Sequence, residues 1–92
     1  MRKALVTVSN RGGLHMRPSM QLAKLAQKFD SQILIEKGDQ AVDAKSMLDL
    51  MTLAMSRGES VWVSAEGVDE DDAIKAVVAS FGDSFGEEDI YG

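Results

Sequence analysis

Short apolar runs separated by polar breaks divide the chain into a succession of predicted elements. Leu5, Val6 and Val8 recur among polar neighbours in residues 3–8, before Ser9-Asn10-Arg11-Gly12-Gly13 interrupts them, which predicts a first strand. From residue 16 to 28 the pattern changes period. Pro18, Leu22, Leu25, Ala26 and Phe29 recur at helical spacing and form the buried stripe of a first helix, leaving Met16 and Met20 on another face. Residues 32–37, with Ile33, Leu34 and Ile35 in succession, predict a second strand that turns at Gly38-Asp39 into a short third strand over residues 40–43. Ser46, followed three residues later by Asp49, is a helix-capping pattern and predicts a second helix over residues 47–54. After Arg57-Gly58-Glu59, residues 60–66 alternate as a fourth strand that Gly67 ends. Asp69 is placed to cap a third helix whose first turn, Glu70-Asp71-Asp72, complements the helix dipole. Its apolar face comprises Ala73, Ile74, Val77, Val78, Phe81 and Phe85.

The order β-α-β-β-α-β-α predicts an α/β (α+β) domain in which three helices cover one face of a four-stranded sheet. The chain of 92 residues has room for one such domain, assigned to residues 1–86, and residues 87–92 read as a flexible acidic C-terminal tail that frays. Within this frame Leu50, Leu53 and Ala54 form a core-facing stripe on the second helix. That stripe turns Met47, Leu48 and Met51 toward the exposed side that also carries the loop before the first helix. The other reading, that the methionines fill the core, is also compatible with the period but is less favoured. Thioether side chains on an exposed face suit a surface that meets several unlike partners.

Chemistry is concentrated in Gly12-Gly13-Leu14-His15-Met16-Arg17-Pro18-Ser19, which holds the only histidine and the only proline of the chain. Two glycines free the backbone for a close approach, and Pro18 is well tolerated in the first turn of a helix. His15 therefore falls at a helix N-terminus, where unpaired N–H groups favour an anion such as phosphate, and Arg17 can add guanidinium donors to it. An imidazole beside an anion site is what reversible phosphorylation of a ring nitrogen requires. The same residues also fit an ordinary surface histidine at a helix start.

Composition narrows the function. A net charge of −5 disfavours nucleic acid as the main partner, and the absence of cysteine removes disulfides, thiol chemistry and zinc-finger spacing, as suits a reducing cytoplasm. The apolar run at the start is too short for a signal peptide or a membrane span. The acidic cluster at residues 69–72 reads as a dipole-matched helix start, not a metal site, since successive carboxylates on a helix point in different directions. One histidine with no paired acid and base beside it and no phosphate-binding glycine loop leaves an independent enzyme without support.

The run Gly13-Leu14-His15-Met16-Arg17-Pro18-Ser19 resembles the active-site signature of the histidine-containing phosphocarrier (HPr) family of the bacterial phosphotransferase system. Ala44-Lys45-Ser46-Met47-Leu48-Asp49-Leu50-Met51 resembles the second family motif, and the resemblance extends from Lys3 to about Phe85. It implies an open-faced sandwich with an antiparallel sheet in the order 1-4-2-3. It also implies a cytoplasmic, monomeric carrier without cofactor that accepts a phosphoryl group on His15 from enzyme I and passes it to an enzyme IIA-type protein. In that scheme the group arrives on His15 Nδ1, and the N–H groups of Met16 and Arg17 and the Arg17 guanidinium hold its oxygens. Gly13 and Pro18 shape the loop, and Met16, Arg17, Met20, Met47, Leu48, Met51 and Thr52 form the docking face. Ser46 is implied as a regulatory phosphorylation site for an HPr kinase/phosphorylase. A docking module without phosphoryl transfer, controlled by Ser46 phosphorylation, is the alternative.

Three residues depart from the family pattern: Asp49 stands where relatives often have Gly or Lys, Met16 replaces a small or hydroxyl residue, and Gly12 leaves the loop without a polar side chain. The ending Phe81-Gly82-Asp83-Ser84-Phe85-Gly86-Glu87-Glu88 is closer to the nitrogen-related (NPr) branch than to the sugar-uptake branch.

Overall fold

Alternation within residues 60–66 sets the two faces of the sheet. In a computed structural model, which describes residues 1–87, the elements are β1 (Arg2–Thr7), α1 (Met16–Ala26), β2 (Gln32–Lys37), β3 (Gln40–Asp43), α2 (Met47–Thr52), β4 (Ser60–Glu66) and α3 (Glu70–Gly82). A single 3-10 turn, Ser84–Gly86, follows α3. The strands pair antiparallel throughout, in the order β1-β4-β2-β3. Val6 pairs with Val61, Ile35 with Val63 and Ile33 with Ala65, so these side chains share one face and are buried. The helices cover them with Leu22, Ala23, Ala26, Leu50, Ala73, Val77 and Phe81. Each large aliphatic side chain so buried contributes about 1.5–3 kcal/mol. Leu5 and Trp62, also paired, lie on the opposite, open face, where Lys3 Nζ sits 5.1 Å from the Trp62 ring centroid and 3.0 Å from a Glu36 carboxylate oxygen. The expected element order, fold class and strand order are all present. No helix among the described residues is long and apolar enough to cross a membrane.

The differences from expectation have identifiable physical causes. On α1 the buried stripe includes Ser19 and Ala23, while Leu25 and Phe29 are only half-buried. Ser19 tolerates full burial because its hydroxyl donates to the Leu14 carbonyl at 2.9 Å. Met16 and Met20 are exposed, as the period requires. α2 ends at Thr52, short of residue 54, because Ala54 turns into the left-handed region at φ 49°. Ala54 is accordingly exposed instead of core-facing. Met47 corrects the expected exposed set: one turn ahead of Leu50, it is half-buried against the core, while Leu48 and Met51 are exposed. Met55, beyond α2, is buried. On α3, Val78 is 36% exposed, and Phe85, expected on the same apolar face, is buried in the turn beyond the helix.

Asp69 does not cap α3 with its side chain. Its carboxylate instead accepts from the backbone N–H groups of Asp30 and Ser31, each at 2.9 Å, and from the Ser31 hydroxyl. Three donors in the α1–β2 loop outcompete one helical N–H. The Ser31 hydroxyl foremost, then the Asp30 N–H, holds the Asp69 carboxyl below the usual range. Glu70 reaches back to Gly67 N–H, and Asp71 pairs with Arg2, so the acids of the cluster turn to separate partners.

The loop between β1 and α1 rests on the connection between α2 and β4. Val8 N–H donates to Glu59 O and Val8 O accepts from Gly58 N–H, both at 2.8 Å, which extends the β1–β4 pairing past the strand. Lys37 Nζ then donates to the carbonyls of Leu53 and Ala54 and to Glu59, all at 3.0 Å, and Glu59 accepts from Ser56 N–H. So braced, Met55 presents its carbonyl to Leu14 N–H at 2.9 Å. Gly13, at φ 73°, passes directly over it: a Cβ there would stand 2.5 Å from Met55 O.

Two outcomes follow from this framework. Gly13→Ala loses about 1–3 kcal/mol or more in urea unfolding, from strain plus the Met55 clash. Gly58→Ala, at φ 90° with open space around its Cβ, loses only roughly 1 kcal/mol of backbone preference, and equal losses would contradict the contact. Because the folded-state pKa of Asp69 lies below its unfolded value, its contribution is complete above the ordinary carboxylate range and fades as the pH falls through it. Thermal melts between neutral pH and about pH 3 are therefore steeper for wild type than for Asp69→Asn; parallel profiles would show that the Asp30–Ser31 contacts carry no stability.

Candidate functional site

His15 occupies the N-cap of α1 with an extended backbone, φ −74° and ψ −165°, and its carbonyl accepts the first helical bond from Ser19 N–H at 3.1 Å. Its imidazole makes no capping hydrogen bond and is 47% exposed. The first-turn N–H groups of Met16 and Arg17 precede the helical ladder and have no acceptor within it, while Pro18 has no N–H to offer. An anion beside the ring thus meets two free backbone donors at the positive end of an 11-residue helix. Arg17 is exposed, and no ion pair or hydrogen bond ties its guanidinium to another described residue. Gly12 leaves room for the ring: a Cβ there would stand 3.0 Å from His15 Cδ2.

Two residues outside the signature complete the site. Asn10, 1% exposed, donates through Nδ2 to Ser84 O at 2.8 Å and to Glu87 Oε1 at 2.6 Å. The other Glu87 oxygen, Oε2, lies 3.5 Å from His15 Nε2. The segment after α3 bends sharply to bring Glu87 there, with Ser84 at φ 57° and Phe85 at φ 55°. Such left-handed conformations cost non-glycine residues about 1–3 kcal/mol each and persist only when surroundings hold them. Here Ser9 Oγ bonds Phe81 O at 3.1 Å and lies 2.8 Å from Ser84 Oγ, and Phe85 stacks edge-on to Phe81 with centroids 4.8 Å apart. Glu87, grouped by the sequence with the tail, is therefore held at the histidine; residues 88–92 lie outside the described residues. Asn10 offered one weak signal, a polar side chain within a turn, and Glu87 offered none.

The remaining sequence-derived residues fall on two helices that pack side by side, α1 and α2. Met16 and Met20 on α1 and Leu48, Met51 and Thr52 on α2 are exposed, and Met47 is half-buried. Ser46 caps α2 as expected, its hydroxyl accepting from Asp49 N–H at 3.2 Å. The Thr52 hydroxyl turns back onto Asp49 O.

The family described as the PTS HPr component phosphorylation site matches residues 3–83. The chain is 40% identical over 81 residues to the phosphocarrier protein HPr of Cupriavidus necator, covering 88% of this chain and 91% of that protein. It is 36% identical over 88 residues to the phosphocarrier protein NPr of Escherichia coli, covering 94% and 97%. Among solved structures, an HPr from Thermoanaerobacter tengcongensis superposes with a TM-score of 0.91 at 44% identity over 96% of this chain and 99% of that one. A family match over nearly the whole described domain, an HPr-type sheet order and a histidine at an open helix N-terminus lead to one conclusion: the chain belongs to the HPr phosphocarrier family of the phosphotransferase system.

Proposed function

We propose that His15 is the residue on which this phosphocarrier holds its phosphoryl group, received from phospho-enzyme I and delivered to an enzyme IIA-type protein. The observation that carries this reading is the unused imidazole: His15 caps α1 through its backbone alone, so the ring stays exposed beside two free N–H groups. Transfer runs in line. The Nδ1 lone pair attacks phosphorus as the donor bond breaks, and the N–H groups of Met16 and Arg17 with the Arg17 guanidinium compensate charge on the equatorial oxygens. The domain supplies position and charge, and partners supply the remaining groups.

Docking in this reading uses the exposed side chains of Met16, Met20, Leu48 and Met51, with Met47 contributing only its accessible edge. Flexible thioethers adapt to a donor and an acceptor of different shape without a fixed pocket. Ser46 acts first as a cap worth about 1 kcal/mol. A phosphoryl group on its hydroxyl would add charge beside Asp49 at the edge of the same face, the regulatory role that an HPr kinase/phosphorylase would exploit. The HPr and NPr relatives match at comparable identity, so acceptors from the sugar and nitrogen branches both belong in the assay.

Incubation with enzyme I and phosphoenolpyruvate adds one acid-labile phosphoryl group to the wild type and none to His15→Ala, read by intact mass; label on the mutant would move the acceptor elsewhere. Arg17→Ala slows transfer about ten- to a hundredfold, roughly 1.4–2.7 kcal/mol of barrier, with an unchanged melting temperature. Equal rates would remove Arg17 from the mechanism.

A further inference from the structure

Glu87 stands at the edge of the imidazole opposite the atom that the phosphoryl group would take. We propose that Glu87 is a positioning residue: held by Asn10, its carboxylate keeps the proton of the neutral His15 ring on Nε2 and leaves the Nδ1 lone pair free for phosphorus. The inference rests on the reading of His15 as the acceptor and adds to it the group that selects the reactive nitrogen.

The geometry supports each step. Glu87 Oε2 is 3.5 Å from His15 Nε2, the distance of an electrostatic contact that a small ring rotation shortens to a hydrogen bond. A carboxylate can only accept there, so it favours a ring carrying Nε2–H. Which nitrogen of a histidine carries the proton is set by the partner of the other nitrogen. Glu87 is itself fixed, because Asn10 Nδ2 donates to Glu87 Oε1 at 2.6 Å and to Ser84 O at 2.8 Å. The Ser84 carbonyl also fixes the Asn10 amide: turned over, its Oδ1 would face another acceptor.

During transfer the N–P bond forms at Nδ1, the bond from phosphorus to the donor breaks with its electron pair staying on the donor, and the Nε2 proton does not move. The ring consequently gains positive charge, and Glu87 is the acid at its Nε2 edge. Attraction therefore grows along the reaction, as an interaction made for the transition state must.

Glu87→Gln tests the idea with little change of shape. Since the Asn10 amide must keep donating, the glutamine turns its oxygen to Asn10 and its NH2 group to His15 Nε2, which favours the opposite tautomer with the proton on Nδ1. In mildly alkaline buffer, where an imidazole is neutral, the ring 15N resonances report the tautomer directly and without any partner protein. The expected result is Nε2–H in wild type, a shift toward Nδ1–H in Glu87→Gln and an intermediate population in Glu87→Ala. Phosphoryl transfer from phospho-enzyme I falls about tenfold in kcat for Glu87→Gln, smaller than the loss known for a buried wrong tautomer because this ring is half-exposed, with KM unchanged. Wild-type ring resonances in Glu87→Gln overturn the proposal, as does a shifted tautomer with an unchanged rate. Should even the wild type fail to take phosphate, the role of His15 as acceptor falls, while the ring resonances still decide whether Glu87 selects the nitrogen.

Discussion

One backbone carbonyl supports the functional end of this molecule. Met55 O accepts from Leu14 N–H and is crossed at close range by Gly13, so the loop before α1 is fixed relative to the sheet by a contact that tolerates no side chain. The carbonyl is in turn set by the left-handed residue Ala54 and by Lys37, whose ammonium gathers the end of α2 and Glu59 into one knot. His15 follows Leu14 directly, so the direction in which α1 begins, and with it the aim of its free N–H groups, derives from that support. An exposed ring on a rigid base suits the role proposed for His15 as phosphoryl acceptor. In that proposed role the ring must be reachable by successive partners and yet present the same nitrogen each time.

The electrostatics are correspondingly light. The proposed anion site consists of a helix end and two unshared backbone donors, with a guanidinium at the surface, so no charge has to be buried to build it. In the proposed role such a site orients a phosphoryl group without burying its charge. The same economy appears on the neighbouring helices, where exposed Met16, Met20, Leu48 and Met51 offer adaptable apolar contact in place of a shaped pocket. Membership of the HPr family accords with both features: the protein's work is to be docked and transferred to, and reaction machinery is divided between it and its partners.

Much of the fold was legible because it follows local rules. A run of apolar residues marked β2, the Gly38-Asp39 turn marked β3 and alternation marked β4, Ser46 announced α2, and the glycine pair before His15 with Pro18 after it announced the start of α1. The misreadings share a cause. Asp69 has the sequence of a helix cap but meets three donors from the α1–β2 loop, and α2 stops early where Lys37, from a different strand, holds the Leu53 and Ala54 carbonyls.

By itself, then, the sequence determined the order of elements, the layer that the helices cover and the placing of the only histidine at a helix N-terminus, because hydrophobic period, capping and turn chemistry act within a few residues of chain. Tertiary structure decided what surrounds that histidine. Asn10 and Glu87, separated by 77 positions, meet only when the turn after α3 folds back across the end of β1, and Gly13 finds its limit in a carbonyl from another segment. A carboxylate or an amide takes whichever partner the packed elements bring within reach, and no pattern along the chain encodes that distance.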